Sequence, residues 1–169
     1  MTTGKETNEQ TDKEFVIEEV TDFDAAWPEL ERLVMGIIDY HRPWDSRSLR
    51  HNWAPIMREY MEQRCVTLVA AGKESGLLGF LSGTIRSDFG LFEGTVGHID
   101  NVCVVEQARG QGIGRGLFQR FEQMCLEQGA GEISLDVALG NDLGEDFWHQ
   151  SGFGIQMYSM RKSLEASHD

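Results

Sequence analysis

The sequence predicts an α/β fold built on one mixed, twisted sheet, antiparallel in its first part, with helices on both faces. Three observations carry this expectation. Strand-like apolar runs alternate with helix-like ones along the chain, a pattern that favours layers of helix packed on sheet. Cys65–Ala71 and Leu77–Ile85 are separated by Gly72-Lys73-Glu74-Ser75-Gly76, the composition of a hairpin turn, so these two strands run antiparallel. Val102–Val105 and Glu132–Ala138 flank a single amphipathic helix, and strands joined by a helix crossover lie parallel.

The elements follow in order. Residues 1–13 are polar and expected to form a disordered tail, 14–165 a single domain and 166–169 a second tail. Phe15-Val16-Ile17 opens a strand. Asp22 or Asp24 caps a helix with Leu30, Leu33, Val34, Ile37 and Ile38 on one face, and Pro28 fits it only in the first turn. A second helical segment carries Leu49, Trp53, Ile56, Met57 and Tyr60, and Pro55 should kink or split it. After the hairpin, Arg86–Gly94 is a loop and Thr95–Val105 a strand. The helix Gly112–Glu127 buries Ile113, Leu117, Phe121, Met124 and Cys125, and the strand Glu132–Ala138 comes next. Asp142–Ser151 reads as a short helix and Phe153–Ser163 as a last strand. There is no internal repeat.

Composition narrows the function. A chain of 169 residues, 40% hydrophobic, can bury a real core. No apolar run approaches the roughly 18–20 residues that span a bilayer, and Met1–Glu6 holds no signal-peptide stretch, so a cytoplasmic location without a membrane partner is expected. The net charge of -13 repels nucleic-acid phosphates and anionic membranes and draws in cations. The acids are spread along the body, and solubility accounts for most of them. Cys65, Cys103 and Cys125 are odd in number and widely spaced, which suits reduced core residues. No Cys/His spacing suggests a metal.

Most informative is the stretch Val102-Cys103-Val104-Val105-Glu106-Gln107-Ala108-Arg109-Gly110-Gln111-Gly112-Ile113-Gly114-Arg115-Gly116. It reads as a buried strand, a polar loop, alternating glycines and a helix. Glycine is costly at a helix entry. An anion site explains it: amides at a helix N-terminus lack internal partners, the dipole is positive there, and side chains at Gly110, Gly112 and Gly114 would hold a phosphate off. A dinucleotide fingerprint is the competing reading, with Asp136 in a later strand. Against it, Glu106–Arg109 separate strand from glycines, and about a hundred residues precede the motif.

Arg109-x-x-Gly112-x-Gly114 after Val102-Cys103-Val104 resembles the acetyl-CoA-binding motif of the GNAT superfamily of N-acetyltransferases. Asp136-Val137-Ala138, Asn141, Phe147-Trp148 and Gly152-Phe153 are similar to the second half of that family's core. The motif-bearing part runs from about Gly97 to Phe153, and the element order makes residues 14–162 compatible. The resemblance implies a GNAT-like single domain whose strands Ile99–Val105 and Ile133–Ala138 splay apart beyond a bulge. It implies that acetyl-CoA is the co-substrate, with no metal. Main-chain contacts to the pantetheine arm would come from Val102, Cys103 and Val104. The pyrophosphate would be held by the loop from Arg109 through Gly110, Gln111, Gly112, Ile113 and Gly114 to Arg115. Arg115 either adds a charge-assisted contact or faces solvent. Asn141 approaches the cofactor, caps a helix, or does both.

For the chemistry, strand alternation would put His98, Asp100 and Val102 on one face and Asn101, Cys103 and Val105 on the other. Asp100 is the first candidate for general base, directly or through water, and His98 the second. A backbone N–H in Val102–Val104 would meet the oxyanion. Trp148 stands where the family often has a tyrosine as general acid, and an indole N–H does not give up its proton. Phe147 and Trp148 would then wall the cofactor tunnel, and Tyr158 or a water could supply the proton. Tyr40, His41, Trp44, Trp53 and Phe89, with Asp39, Asp45 and Asp88, are candidates to receive a cationic amine, either a small molecule or a protein amine. A homodimer is left open. The alternative function is a catalytically silent acyl-CoA-sensing module.

Overall fold

The computed structural model describes residues 15–45, 47–87 and 94–162; the expected tails and the candidates Asp88 and Phe89 lie outside the described residues. The elements are β1 (Phe15–Glu19), α1 (Phe23–His41), α2 (Trp53–Arg64), β2 (Val66–Gly72), β3 (Gly76–Ser87), β4 (Thr95–Val104), a 3-10 turn (Glu106–Ala108), α3 (Ile113–Glu127), β5 (Ala130–Leu135) and α4 (Asp142–Gln150). Residues up to Asp136 make one compact unit and those from Val137 a second. The sheet order is β1-β2-β3-β4-β5. The first three pairings are antiparallel, and β4–β5, joined through α3, is parallel.

The two sheet faces are packed differently. On one, α1 and α2 bury Phe23, Trp27, Leu30, Leu33, Val34 and Met61 against Val69 and Phe80. On the other, α3 buries Ile113, Leu117, Phe118, Phe121 and Cys125. Each large side chain fully withdrawn from water, such as Phe121, stabilises the fold by about 1.5–3 kcal/mol. The α3 helix can approach this closely because glycines lie on both sides of the contact, Gly97 in β4 and Gly116 in α3 itself. A methyl at Gly97 would stand 2.6 Å from Cys125 Sγ, and one at Gly116 would stand 2.7 Å from Ile17 Cδ1.

Pro28 and Pro55 sit differently from expectation. Asp22 caps α1, accepting from the Ala25 amide at 3.0 Å, so Pro28 falls in the second turn rather than the first. The helix continues because Pro28 and Asp24 are exposed, and the Asp24 carbonyl that loses its helical donor meets water. Leu49 precedes α2, which begins at Trp53. Pro55 therefore lies in the first turn, where no N–H is needed, and neither kinks nor splits the helix.

Two strand ends also differ. β5 stops at Leu135, so Asp136–Ala138 are not strand. The expected last strand is absent over Phe153–Lys162, where Ile155, Met157, Tyr158 and Met160 are exposed. Alternating apolar residues mark a segment that could pair, but a strand needs a partner strand, and among the described residues this segment joins none of the five in the sheet.

Candidate active site

One extra residue in β4 decides how the site is laid out. Along the β3–β4 ladder Asn101 lies opposite Ser82 and Ile99 opposite Gly83, so Asp100 is the unpaired residue of a bulge. Opposed residues in an antiparallel pair share a face. Cys103 opposes Phe80, which belongs to the α1–α2 core, and Asn101 follows Ser82 to that side. His98 and Asp100 lie there too, Asp100 within reach of α2 side chains. Val102 opposes Leu81 and falls on the α3 side. The expected grouping of His98, Asp100 and Val102 on one face is therefore corrected, because the bulge shifts the alternation by one.

The same strand has a bare edge. β5 pairs only with Thr95–Ile99, so Asn101–Val104 are paired on the β3 side alone among the described residues. The Val105 amide donates to the Leu78 carbonyl at 2.9 Å. Counting back in twos, Cys103 and Asn101 turn their main-chain groups to β3, and Val102 and Val104 turn theirs to the bare edge. Cys103, expected to offer main-chain contacts outward, has them committed to Phe80 instead.

Asp100 is the centre of a polar cluster. Its Oδ1 accepts from the Tyr60 hydroxyl at 3.3 Å, and its Oδ2 accepts from Cys65 Sγ at 3.6 Å. Burial, and then the Asp100 charge, push the Tyr60 hydroxyl up to about 12 and the Cys65 thiol to about 12. Both groups are thus protonated donors at neutral pH. His98 Nε2 stands 4.0 Å from Asp100 Oδ1, and His98 Nδ1 lies 2.9 Å from Ser134 Oγ on β5. Sequence reasoning missed Tyr60, Cys65 and Ser134. Tyr60 reads as the end of an apolar stripe, although a tyrosine at the edge of a core commonly carries its hydroxyl to a partner.

The glycine loop has the geometry of an anion cradle. Gly110 and Gly112 have φ of 78° and 82°, which favour glycine, and nothing lies within 4 Å of where a Cβ would stand on either. No side chain caps α3, so the amides of Ile113, Gly114 and Arg115 open onto that space. Gln111 Nε2 donates to the Gln107 carbonyl at 3.3 Å, bracing the loop. The Arg109 side chain turns back, Nε donating to the Val104 carbonyl at 3.2 Å, which ties the loop to the end of β4. Arg115 is exposed. A cleft of about 390 Å³ lined by Arg32, Leu77, Val105, Gln107 and Gln111 adjoins the loop.

In the second unit, Asn141 is buried and caps α4, its Oδ1 accepting from the Gly144 amide at 3.2 Å. Trp148 is buried too, its ring edge-on to Phe147 at 4.7 Å and to Phe153 at 5.2 Å. Tyr158 is 83% exposed. Of the amine candidates, Tyr40, His41 and Trp44 form a ring cluster at the end of α1 with centroids 5.5–5.9 Å apart. Asp45 pairs with Arg47, while Asp39 and Trp53 line a separate cleft with Glu31 and Met35. Among the described residues no helix is long and apolar enough to cross a membrane, and no group of three metal-ligating side chains converges.

The sequence matches the acetyltransferase (GNAT) family over residues 24–153. The chain belongs to that family. As a GNAT enzyme it is an acetyltransferase, and the family uses acetyl-CoA. A Bacillus subtilis (strain 168) protein with the proposed activity of a ribosomal protein bS18-alanine N-acetyltransferase is 26% identical over 121 residues, 72% of this chain and 70% of its own. The fold is that of a crystallised mutant of BH1408 from Bacillus halodurans, with a TM-score of 0.76 at 23% identity over 89% of this chain and 99% of that one. The aminoglycoside N-acetyltransferase AAC(6')-Iy in complex with CoA gives 0.71 at 15% identity over 90% and 95%.

Proposed function

We propose that this GNAT enzyme transfers the acetyl group of acetyl-CoA to a primary amine, by direct attack while both substrates are bound. The observation that carries the reading is the position of Asp100: a carboxylate at the bulge where β4 loses β5, next to the outward main chain of Val102 and Val104. The pantetheine arm lies along that edge as a substitute strand, and the amides from Gly110 to Arg115 hold the pyrophosphate, where the open space in front of Gly110 and Gly112 suits its bulk. The acceptor is a small cationic amine or a protein amine. The bacterial relative named for an alanine amine and the structural neighbour named for aminoglycosides support this class.

Asp100 holds the ammonium and takes its proton, directly or through a water, with His98 the next acceptor. The freed amine attacks the thioester carbonyl, and the Val102 N–H meets the oxygen as it gains charge. A thiol of ordinary pKa, about 8.5, leaves as thiolate without a dedicated acid. A water supplies the final proton. Asp100→Asn should lower kcat about a hundredfold, most of all at low pH, with coenzyme A affinity nearly unchanged. An unchanged rate from about pH 6 to 9 would remove Asp100 as the base. Coenzyme A binding without thiol release on any amine of a broad panel would turn the protein into a silent sensor.

A further inference from the structure

We infer that Ser134 is a positioning residue for proton removal: it accepts the Nδ1 proton of His98, leaves the Nε2 lone pair facing Asp100, and so makes His98 the exit for the acceptor's proton. This rests on the reading of Asp100 as the base. β4 and β5 run parallel with His98 beside Ser134. Ser134 has a single hydroxyl proton, and the Gly97 carbonyl, 3.4 Å away, accepts it. Toward His98 Nδ1, 2.9 Å away, the serine oxygen is then an acceptor, which places the imidazole proton on Nδ1. A neutral imidazole with Nδ1–H has its lone pair on Nε2, and that atom is 4.0 Å from Asp100 Oδ1.

Two acceptors facing each other at this separation are too far apart for a direct hydrogen bond and call for a donor between them. One water, or one N–H-bearing nitrogen of the acceptor ammonium, donates to both. The other groups facing Asp100, the Tyr60 hydroxyl and the Cys65 thiol from α2 and the residue after it, already donate to the carboxylate and cannot take a proton from it. Thr84 opposes His98 from β3 and carries no charge. His98 is also the more open of the pair, with a side chain 31% exposed against 19% for Asp100. The steps balance as follows. An N–H bond of the ammonium breaks and its proton goes to Asp100 Oδ1, leaving the lone pair on nitrogen for attack. The proton then passes through the bridging water to His98 Nε2, and the imidazolium releases it to solvent with Nδ1–H retained.

The tautomer can be read without any substrate, from imidazole ¹⁵N shifts of the whole protein at a pH where His98 is neutral. Wild type and Ser134→Thr should show Nδ1–H, and Ser134→Ala should show Nε2–H. In turnover with an accepted amine, Ser134→Ala should lower kcat about tenfold at unchanged amine KM, since Asp100 itself remains, and Ser134→Thr should restore it. Nε2–H in the wild type overturns the inference. So does a switched tautomer in Ser134→Ala with unchanged kcat. Nδ1–H in a wild type that acetylates no amine refutes Asp100 as the base, and the relay with it, while showing the Ser134–His98 bond intact.

Discussion

Gly112 offers a test in which backbone strain and anion contact can be separated. It sits at φ 82°, just ahead of α3, and an alanine there places a Cβ in the left-handed region at a cost of about 1–2 kcal/mol. Nothing lies within 4 Å of that Cβ, so no steric clash adds to the backbone term. For a chain of this size the melting temperature should fall by about 2–8 °C. Gly129, at the other end of the same helix, has φ 75° and equally open surroundings, so Gly129→Ala carries the same strain far from the amides. Only the methyl of Gly112→Ala stands in front of the α3 N-terminus. A phosphate oxygen sits about 2.9 Å from an amide nitrogen, whereas carbon needs about 3.5–4 Å. The diphosphate is therefore pushed back and loses at least one charged hydrogen bond, worth about 1.5–3 kcal/mol. Coenzyme A affinity should drop roughly tenfold to a hundredfold. Calorimetric titration with coenzyme A and thermal unfolding of the three proteins decide the matter. Equal affinity in Gly112→Ala and Gly129→Ala would refute the anion cradle.

Other expectations follow from the same structure. With its pKa raised to about 12 from an ordinary 9.0, Cys65 should be alkylated at neutral pH about a thousandfold more slowly than a free thiol, and Asp100→Asn, which removes a neighbouring charge, should speed the reaction; peptide mapping by mass spectrometry reads both. Tyr60 and Cys65 hold their protons more tightly folded than unfolded, so between about pH 9 and 12 the unfolded chain binds fewer protons and stability falls as pH rises; denaturant titrations across that range should show the loss, and Tyr60→Phe should reduce it. Gly116→Ala drives a methyl onto Ile17 and should cost about 1–3 kcal/mol by denaturant unfolding. Asp22→Ala removes the α1 cap and should cost about 1 kcal/mol in the same assay.

Much of the architecture was legible because local rules and tertiary packing agree. Asp22 starts α1, the Gly72–Gly76 turn closes the β2–β3 hairpin, and Ile113, Leu117 and Phe121 recur at the spacing that α3 buries. The need for glycine at the entry to α3 was legible as well, and Gly110 and Gly112 do take positive φ there. The arrangement around Asp100 was not. A bulge leaves no fixed sequence signature, and without it the side assigned to Val102 comes out wrong. Tyr60 and Cys65 reach Asp100 from 40 and 35 residues away, a distance over which periodicity says nothing. The last strand failed for the opposite reason: Phe153, Ile155 and Met157 alternate well, but pairing is a property of two segments, and one was read alone.

The single surplus residue in β4 also uncouples two tasks that would otherwise compete for the same ribbon of chain. At and before it, side chains at positions 98 and 100 can change without touching the interior that Val102 helps fill. Downstream, Val102 and Val104 turn peptide groups rather than side chains to the bare edge, so their side chains are free to answer to packing alone. Deleting Asp100 would remove more than a carboxylate: it would bring the ladder back into step, with Asn101 next to Ile99 and every partner across from β3 kept.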